Sequence, residues 1–245
     1  MARFFITASN LFGGMAYLDK EDAEHIKVLR IRKGETYTVC DGNGTDYICK
    51  LSEEAEKGSS AVEIVDKVPS PGEPSIKCAV YAAFSKGDKM ESVIQKSVEI
   101  GATEIVVFPS KRCVAKYEGS ALVRKAERWQ KIAKEAAKQS ERGIIPAVTV
   151  LSSFSEAVKR AAGTDLPIFC YEEEKSLSLK NLLEQAENVG SVSIFTGPEG
   201  GFEPSEVQEA IDAGMKSVTL GPRILRCETA PICALAAVML FTGNM

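Results

Sequence analysis

The chain has 245 residues, 44% of them hydrophobic and 26% charged, which suits one large or two modest folded domains and excludes an extended disordered chain. A net charge of −4 gives no overall basic field, so any nucleic-acid surface must be local. The seven cysteines form no CxxC pair and His25 is the only histidine, so neither a disulfide framework nor a structural zinc site is expected.

The chain starts MARFFITASN, without the apolar stretch of a secretory leader. Phe4-Phe5-Ile6 reads as a short strand, and Lys20 to Leu29 as a helix with Ala23, Ile26 and Leu29 on one side. Thr36 to Cys40 and Thr45 to Cys49 flank Asp41-Gly42-Asn43-Gly44, a loop whose residues suit the positive φ of a hairpin. Val62 to Val65 alternates as a strand should. Asp66 to Ser75 holds three prolines and reads as a linker. The expected division is a small β-barrel over 1–68, a linker over 69–74 and a second domain over 75–245.

Past the linker, strands and helices alternate. Strands are predicted at Ile76 to Phe84, Glu104 to Phe108, Val148 to Val150, Leu166 to Tyr171, Val192 to Thr196 and Ser217 to Leu220. Helices are predicted at Lys86 to Ile100, Ser120 to Glu141, Ser155 to Ala162, Leu179 to Ala186, Pro204 to Ala213 and Thr229 to Phe241. Repeated βα units imply a mostly parallel sheet covered on both faces, an α/β domain. The apolar run Ala230 to Phe241 is shorter than the ~20 residues that cross a bilayer. The expectation is a reduced, cytoplasmic protein. Between Val107 and Arg142 lie ten Lys/Arg against four Glu, a local basic excess that also fits a solvated helix face. Trp129 shares a helix face with Ile132, Ala133 and Ala136, which favours a core or dimer-interface position over base stacking.

Two loops carry the candidate chemistry. Ile194-Phe195-Thr196-Gly197-Pro198-Glu199-Gly200-Gly201-Phe202 joins a strand to a helix with three glycines in five residues, so backbone can approach a ligand closely. The dinucleotide fingerprint GxGxxG and the P-loop ending GK[ST] are both missing from it. Leu220-Gly221-Pro222-Arg223-Ile224-Leu225-Arg226-Cys227-Glu228-Thr229-Ala230-Pro231 follows a later strand. Ile224 and Leu225 are too apolar for a solvated loop and suit the wall of a pocket for a flat base; Thr229 is placed to cap the next helix.

TGPEGG followed by LGPRILRCETA resembles the signature of RsmE-type methyltransferases of the SPOUT superfamily. The start RFF, HIKVLRIRKGE, SKGDKMESVIQKSVEIGATEIVVFPSKRC and ERWQKIAKEAAKQSER are similar to the same family, in order, from Arg3 to Ala237. Cys227 stands where the family pattern has Thr, and Pro231 where it has a small residue. The resemblance implies a PUA-like β-barrel followed by a SPOUT α/β domain with a C-terminal trefoil knot, acting as a homodimer. It implies S-adenosylmethionine as methyl donor, no metal, and N3 of a uridine in the decoding-region helix of 16S rRNA as acceptor.

Carried over, donor binding falls on Thr196, Gly197, Pro198, Glu199, Gly200, Gly201, Leu220, Gly221, Ile224, Leu225, Arg226, Thr229 and Ala230. Arg226 is the first candidate to stabilise a uracil anion, with Arg3 and Arg142 as alternatives. Glu199 and Glu228 are candidate proton acceptors, and each equally fits a structural role. RNA phosphates fall to Arg3, Arg30, Arg32, Lys33, Lys86, Lys89, Lys111, Arg112, Lys138 and Arg142. His25 lies on the small-domain helix, in a packing or RNA-contact role. The competing readings are a SPOUT enzyme acting on ribose 2′-OH or another RNA, and a non-catalytic RNA-binding or ribosome-assembly factor.

Overall fold

The computed structural model describes residues 3–20, 22–24, 35–51 and 61–245. The chain divides into two units. One takes Met1–Glu73 together with Ala137–Ile145; the other takes Pro74–Ala136 and Pro146–Met245. The short return of 137–145 to the first unit was not legible in the sequence, where it sits inside the α/β pattern.

The first unit is a six-stranded sheet in the order β1-β4-β5-β6-β3-β2. Its strands are β1 (Arg3–Phe5), β2 (Leu11–Phe12), β3 (Met15–Tyr17), β4 (Thr36–Cys40), β5 (Thr45–Leu51) and β6 (Ala61–Pro69). Only β1 and β4 run parallel. Alternate residues Tyr37, Val39, Cys49 and Val62 point inward to meet Phe4, Ile6, Ala16 and Leu18, as the two-residue period of a strand requires. The β4–β5 hairpin turns where predicted: Asp41 Oδ1 accepts from Asn43 N at 2.8 Å and Thr45 N at 3.2 Å, and Gly42 and Gly44 take φ of 75° and 91°.

Three features depart from the sequence reading. The β2–β3 hairpin was missed, because strands of two and three residues carry no measurable period. Strand β6 runs through Asp66–Pro69, which had been read as linker. There β6 pairs with β5 alone, since β3 reaches only Ala61 to Glu63, so Pro69 sits on an edge, where a missing N–H is tolerated. Of the helix expected over 20–29, residues 22–24 are helical; the part from His25 onward lies outside the described residues.

Arg3 and Arg142 are each held by a carboxylate. The Arg3 guanidinium grips Asp46 with two bonds, 2.8 and 2.7 Å, and donates to Arg142 O at 3.1 Å. Arg142 is 2% exposed and bonds Glu73 Oε2 at 2.6 Å. Both are committed to carboxylates inside the first unit, as a buried cation requires.

The second unit is a six-stranded, wholly parallel sheet in the order β12-β10-β11-β7-β8-β9. Its elements are β7 (Lys77–Ala83), α1 (Lys89–Ile100), β8 (Glu104–Phe108), α2 (Gly119–Gln139), β9 (Ala147–Val150), α3 (Phe154–Ala161), β10 (Leu166–Cys170), α4 (Leu179–Glu184), β11 (Ser191–Thr196), α5 (Pro204–Asp212), β12 (Lys216–Val218) and α6 (Ala230–Phe241). Each lies within a few residues of its predicted span. Gly101 ends α1 at φ 112° with its N–H on the carbonyls of Ser97 and Val98, a left-handed stop that favours glycine.

Both sheet faces are covered. On one, α3 and α5 close over Tyr81, Phe108, Phe169, Phe195 and Phe202. On the other, α6 packs against α1, β7 and β11. Trp129 of α2 is fully buried beside the rings of Phe84 and Tyr117, which settles it as core. The strand order reverses beside β7, and ligands in open α/β sheets collect at the carboxyl ends of strands near such a reversal.

Candidate functional site

A cleft of about 440 Å³ opens at the carboxyl ends of β10, β11 and β12. Three loops form it: 170–172 after β10, 196–201 after β11, and 219–230 between β12 and α6. Of the residues proposed for the donor, Thr196, Gly197, Pro198, Glu199, Gly201, Leu220, Gly221, Ile224, Leu225, Arg226 and Ala230 line this one cleft. Sequence positions more than twenty residues apart meet because β11 and β12 flank β10 in the sheet.

The backbone is shaped by specific constraints. Thr196 is buried, and its hydroxyl donates to Tyr81 O at 3.2 Å, tying the loop's start to β7. Gly197 lies against Phe202, whose ring an added Cβ would meet at 3.0 Å. Gly201 takes φ 68°, and a Cβ there would strike the carboxylate of Glu172. The Glu172 carboxylate can swing aside, so it is the left-handed φ that reserves this position for glycine.

Gly200 and Thr229 stand outside this lining. Gly200 does not line the cleft; its open side faces the backbone of Arg112, whose O a Cβ would meet at 3.0 Å. Thr229 is exposed, stays outside the cleft lining and makes no capping bond through its side chain, because it adopts a helical φ and ψ of −92° and −39°. A side-chain cap normally comes from an extended residue.

Lys89, Glu199, Glu228 and Arg226 pair with one another at the cleft. Glu199 Oε1 accepts from Lys89 Nζ at 2.9 Å and Lys86 N at 3.2 Å. Glu228 stands 3.9 Å from the same ammonium, accepts from the Cys227 thiol at 3.3 Å and lies 4.0 Å from Arg226. Burial works to raise the Glu199 carboxyl, but the bonds from Lys89 and Lys86 outweigh it and hold it below the usual range. Glu228 is likewise held low, burial being outweighed by its backbone, Cys227 and Lys89 contacts. Burial and the Glu228 bond push the Cys227 thiol up to about 12, so it is a neutral donor here. The Arg226 side chain is 82% exposed at the rim, and Ile224 is 84% exposed although it lines the cleft.

The sequence reading missed Cys170, Tyr171 and Glu172, which line the cleft from β10. The sequence offers only a coarse signal, since Glu172, Glu173 and Glu174 directly follow a buried strand without marking which one turns inward. Only Glu172 reaches the cleft, while Glu174 serves a turn: bonds from the Ser176 hydroxyl and N–H hold its carboxyl down at about 2.

The expected phosphate contacts scatter. Arg30, Arg32 and Lys33 lie outside the described residues. Lys86 is exposed beside the cleft. Lys111 and Arg112 are exposed near Glu203, at 3.6 and 3.8 Å, on a loop anchored by buried Glu206, which accepts from Lys111 N at 2.9 Å. Lys138 is bound to Asp22 at 3.1 Å in the first unit. Lys89 belongs to the cleft. Among the described residues no group of three or more His, Cys, Asp or Glu is placed to hold a metal, and no helix is long and apolar enough to cross a membrane.

An RNA methyltransferase domain model matches residues 72–239, and an RNA methyltransferase PUA domain model matches 18–65. The chain is 34% identical to Ribosomal RNA small subunit methyltransferase E of Bacillus subtilis over 89% of this chain and 87% of that one. It is also 34% identical to the protein of that name from Mesomycoplasma hyopneumoniae, over 95% and 96%. Among solved structures, a Ribosomal RNA small subunit methyltransferase E from Neisseria gonorrhoeae bound to S-adenosylmethionine superposes with a TM-score of 0.83 at 32% identity, covering 98% of this chain and 97% of that one.

Proposed function

The chain belongs to the RsmE family of ribosomal RNA small subunit methyltransferases, and we propose from that premise that it methylates N3 of a uridine in the decoding-region helix of 16S rRNA. S-adenosylmethionine is the methyl donor, and the fold is a PUA-like β domain followed by a SPOUT-type parallel α/β domain.

The observation that carries the reading is the meeting of the 196–201 and 219–230 loops in one cleft with Glu172. The cleft fits the donor on its own terms. Its volume lies within the range of small-molecule sites. Ile224, Leu225 and Pro222 supply apolar walls for a flat base, Glu172 supplies acceptors for ribose hydroxyls, and glycine backbone at Gly197, Gly201 and Gly221 allows close approach. When bound, the donor supplies an electrophilic methyl group on a sulfonium.

The chain's own task is to orient the acceptor and accommodate the charge left when N3 loses its proton. Uracil N3–H ionises well above neutral pH, so donors aimed at the developing anion help most. Arg226, exposed at the rim of the cleft, presents a planar fork of N–H donors for that anion. Glu199 and Glu228 are held ionised below the usual range, so neither is tuned to near-neutral pH as a strong general base would be. We assign Glu199 and Glu228 to holding their loops, with the N3 proton lost to water. An acceptor uridine must be unpaired or flipped out to present N3.

The division of labour is part of the same proposal: the first unit, PUA-like, contacts RNA, the second unit transfers methyl, and the segment after β12 threads as a trefoil knot. The enzyme acts in the cytoplasm, where its ribosomal substrate is made. It works as a homodimer through the groove of about 540 Å³ between α4 and α6, where Cys233, Leu240 and Phe241 stand exposed. That groove shares Thr219, Leu220 and Gly221 with the cleft, which gives pairing a direct bearing on the donor loops.

Transfer of labelled methyl from S-adenosylmethionine to undermethylated small subunits, followed by nucleoside analysis, tests the reading. N3-methyluridine is the expected product. A 2′-O-methyl nucleoside would overturn the acceptor, and donor binding without transfer to any ribosomal RNA would overturn the activity.

A further inference from the structure

Lys89 was a candidate for phosphate contact by residue type, but its surroundings give it other work. It leaves the first turn of α1, a helix fixed by buried Met90, Val93, Ile94 and Val98 and packed on α6. Its ammonium reaches Glu199 Oε1 at 2.9 Å and Glu228 Oε2 at 3.9 Å. These two glutamates sit on the two loops that close the cleft, one after β11 and one before α6. Both are mostly buried, with side chains 22% and 23% exposed. Glu199 also holds the backbone N–H of Lys86, three residues before, so the β7–α1 turn and both loops converge on one carboxylate–ammonium–carboxylate group.

We propose that Lys89 is the positioning residue of the donor site, a clip that ties the 196–201 loop to the 219–230 loop through Glu199 and Glu228 and so sets the width of the cleft. The proposal rests on the donor reading of that cleft.

The physical case has three parts. Two half-shielded carboxylates at one end of a cleft repel, and an ammonium between them turns that repulsion into attraction. The 196–201 loop is rich in glycine and the 219–230 loop is a twelve-residue irregular connection, so both resist distortion poorly, whereas α1 is a packed helix. A charge mounted on the helix therefore gives both loops a fixed reference. Finally, each carboxylate holds the ammonium in its charged form, and the Lys89 pKa is raised chiefly by its bond to Glu199. A phosphate would have to displace two established partners to recruit it.

The experiment compares Lys89→Met, which keeps the stem and removes the charge, with Lys89→Arg, Glu199→Gln and the Lys89→Met/Glu199→Gln double variant. S-adenosylmethionine binding is measured by calorimetry and RNA binding at two salt concentrations. Lys89→Met is expected to weaken donor binding about tenfold and the double variant hardly more, because both changes break one link. Lys89→Arg is expected to restore most of the loss. RNA affinity and its salt slope should not move. Unchanged donor binding in Lys89→Met, or a salt slope reduced by about one counter-ion, would overturn the proposal in favour of phosphate contact. A lowered Tm shared by Lys89→Met and Lys89→Arg would overturn it in favour of a plain folding role. Wild-type protein that binds no donor would refute the donor reading itself, a result distinct from a wild type that binds and a Lys89→Met variant that binds equally well.

Discussion

Glu73 holds Arg142 at 2.6 Å and, with its other oxygen, accepts from the backbone N–H groups of Gly143 and Ile144 at 2.8 and 2.9 Å. One carboxylate thus fastens the 137–145 segment into the first unit. Removing one partner of a buried pair costs about 3–5 kcal/mol, mostly from the charge left behind. Glu73→Ala is therefore expected to lower the unfolding free energy of the first unit, read from urea titration, by an amount in that range. A change below about 1 kcal/mol would mean the pair contributes little more than a surface salt bridge.

Gly201 faces Glu172 closely enough that any side chain displaces the carboxylate, and its φ of 68° disfavours other residues independently. Gly201→Ala is expected to weaken S-adenosylmethionine binding at least tenfold, since ~1–2 kcal/mol of backbone strain adds to the clash. Adding Glu172→Ala relieves the clash but removes the ribose acceptors and leaves the strain, so no recovery is expected. Gly200→Ala presses on Arg112 instead and should affect donor binding less. Calorimetric titration of the three variants separates these effects, and equal losses at Gly200 and Gly201 would refute the geometry.

The α/β pattern was legible because its strands are buried runs of five or so residues and its helices carry apolar residues at helical spacing. The first donor loop was legible because its three glycines exceed what a turn needs, and the second because Ile224 and Leu225 are too apolar for a solvated loop. Glu172 was not, since three consecutive acids give no sign of which one turns inward. The fates of Arg3, Arg142 and Lys89 were hidden for a related reason. A cation's residue type says nothing of its partner, and Asp46, Glu73 and Glu199 lie 43, 69 and 110 positions away from them in sequence. Gly200 and Gly201 are adjacent and chemically identical, and only the backbone direction separates the one on the cleft from the one on Arg112.

Leu240 and Phe241 are 68% and 46% exposed at the end of a helix that is apolar on every side. Exposed apolar surface of this kind is normally covered by a partner. Leu240→Glu is expected to convert the protein from dimer to monomer in sedimentation equilibrium, with donor binding weakened because the groove shares Thr219 to Gly221 with the cleft. A wild-type monomer, or a dimer that survives the substitution, would remove this face from consideration.

The Glu199–Lys89 link has a defined pH window. A carboxyl held low contributes fully above its ordinary range and loses that contribution as pH falls through the folded value. An ammonium held high contributes fully below its ordinary range and loses it as pH rises through the folded value. Donor affinity should therefore be flat between about pH 6 and 9. The transfer rate should instead climb through this range as uracil N3–H ionises. A rate plateau near pH 7 would reveal a base titrating there, a role that neither Glu199 nor Glu228 fits.

Arg226 offers the sharpest test of the chemistry, because it lines the cleft while exposing most of its guanidinium. An exposed side chain contributes little to folding, so Arg226→Ala should leave Tm in place. If the fork of donors stabilises the uracil anion, the transfer rate should fall on the order of 10²–10³-fold, the scale of losing one donor to a developing oxyanion. Donor affinity should fall far less, since the anion forms only on the acceptor. Arg226→Lys discriminates further: a point charge attracts the anion but lacks the planar fork, so it should recover only part of the rate. Full activity in Arg226→Ala would move the anion-stabilising role elsewhere. A loss confined to donor affinity would make Arg226 a binding residue, and a full recovery by Lys would show that charge alone, without geometry, meets the need.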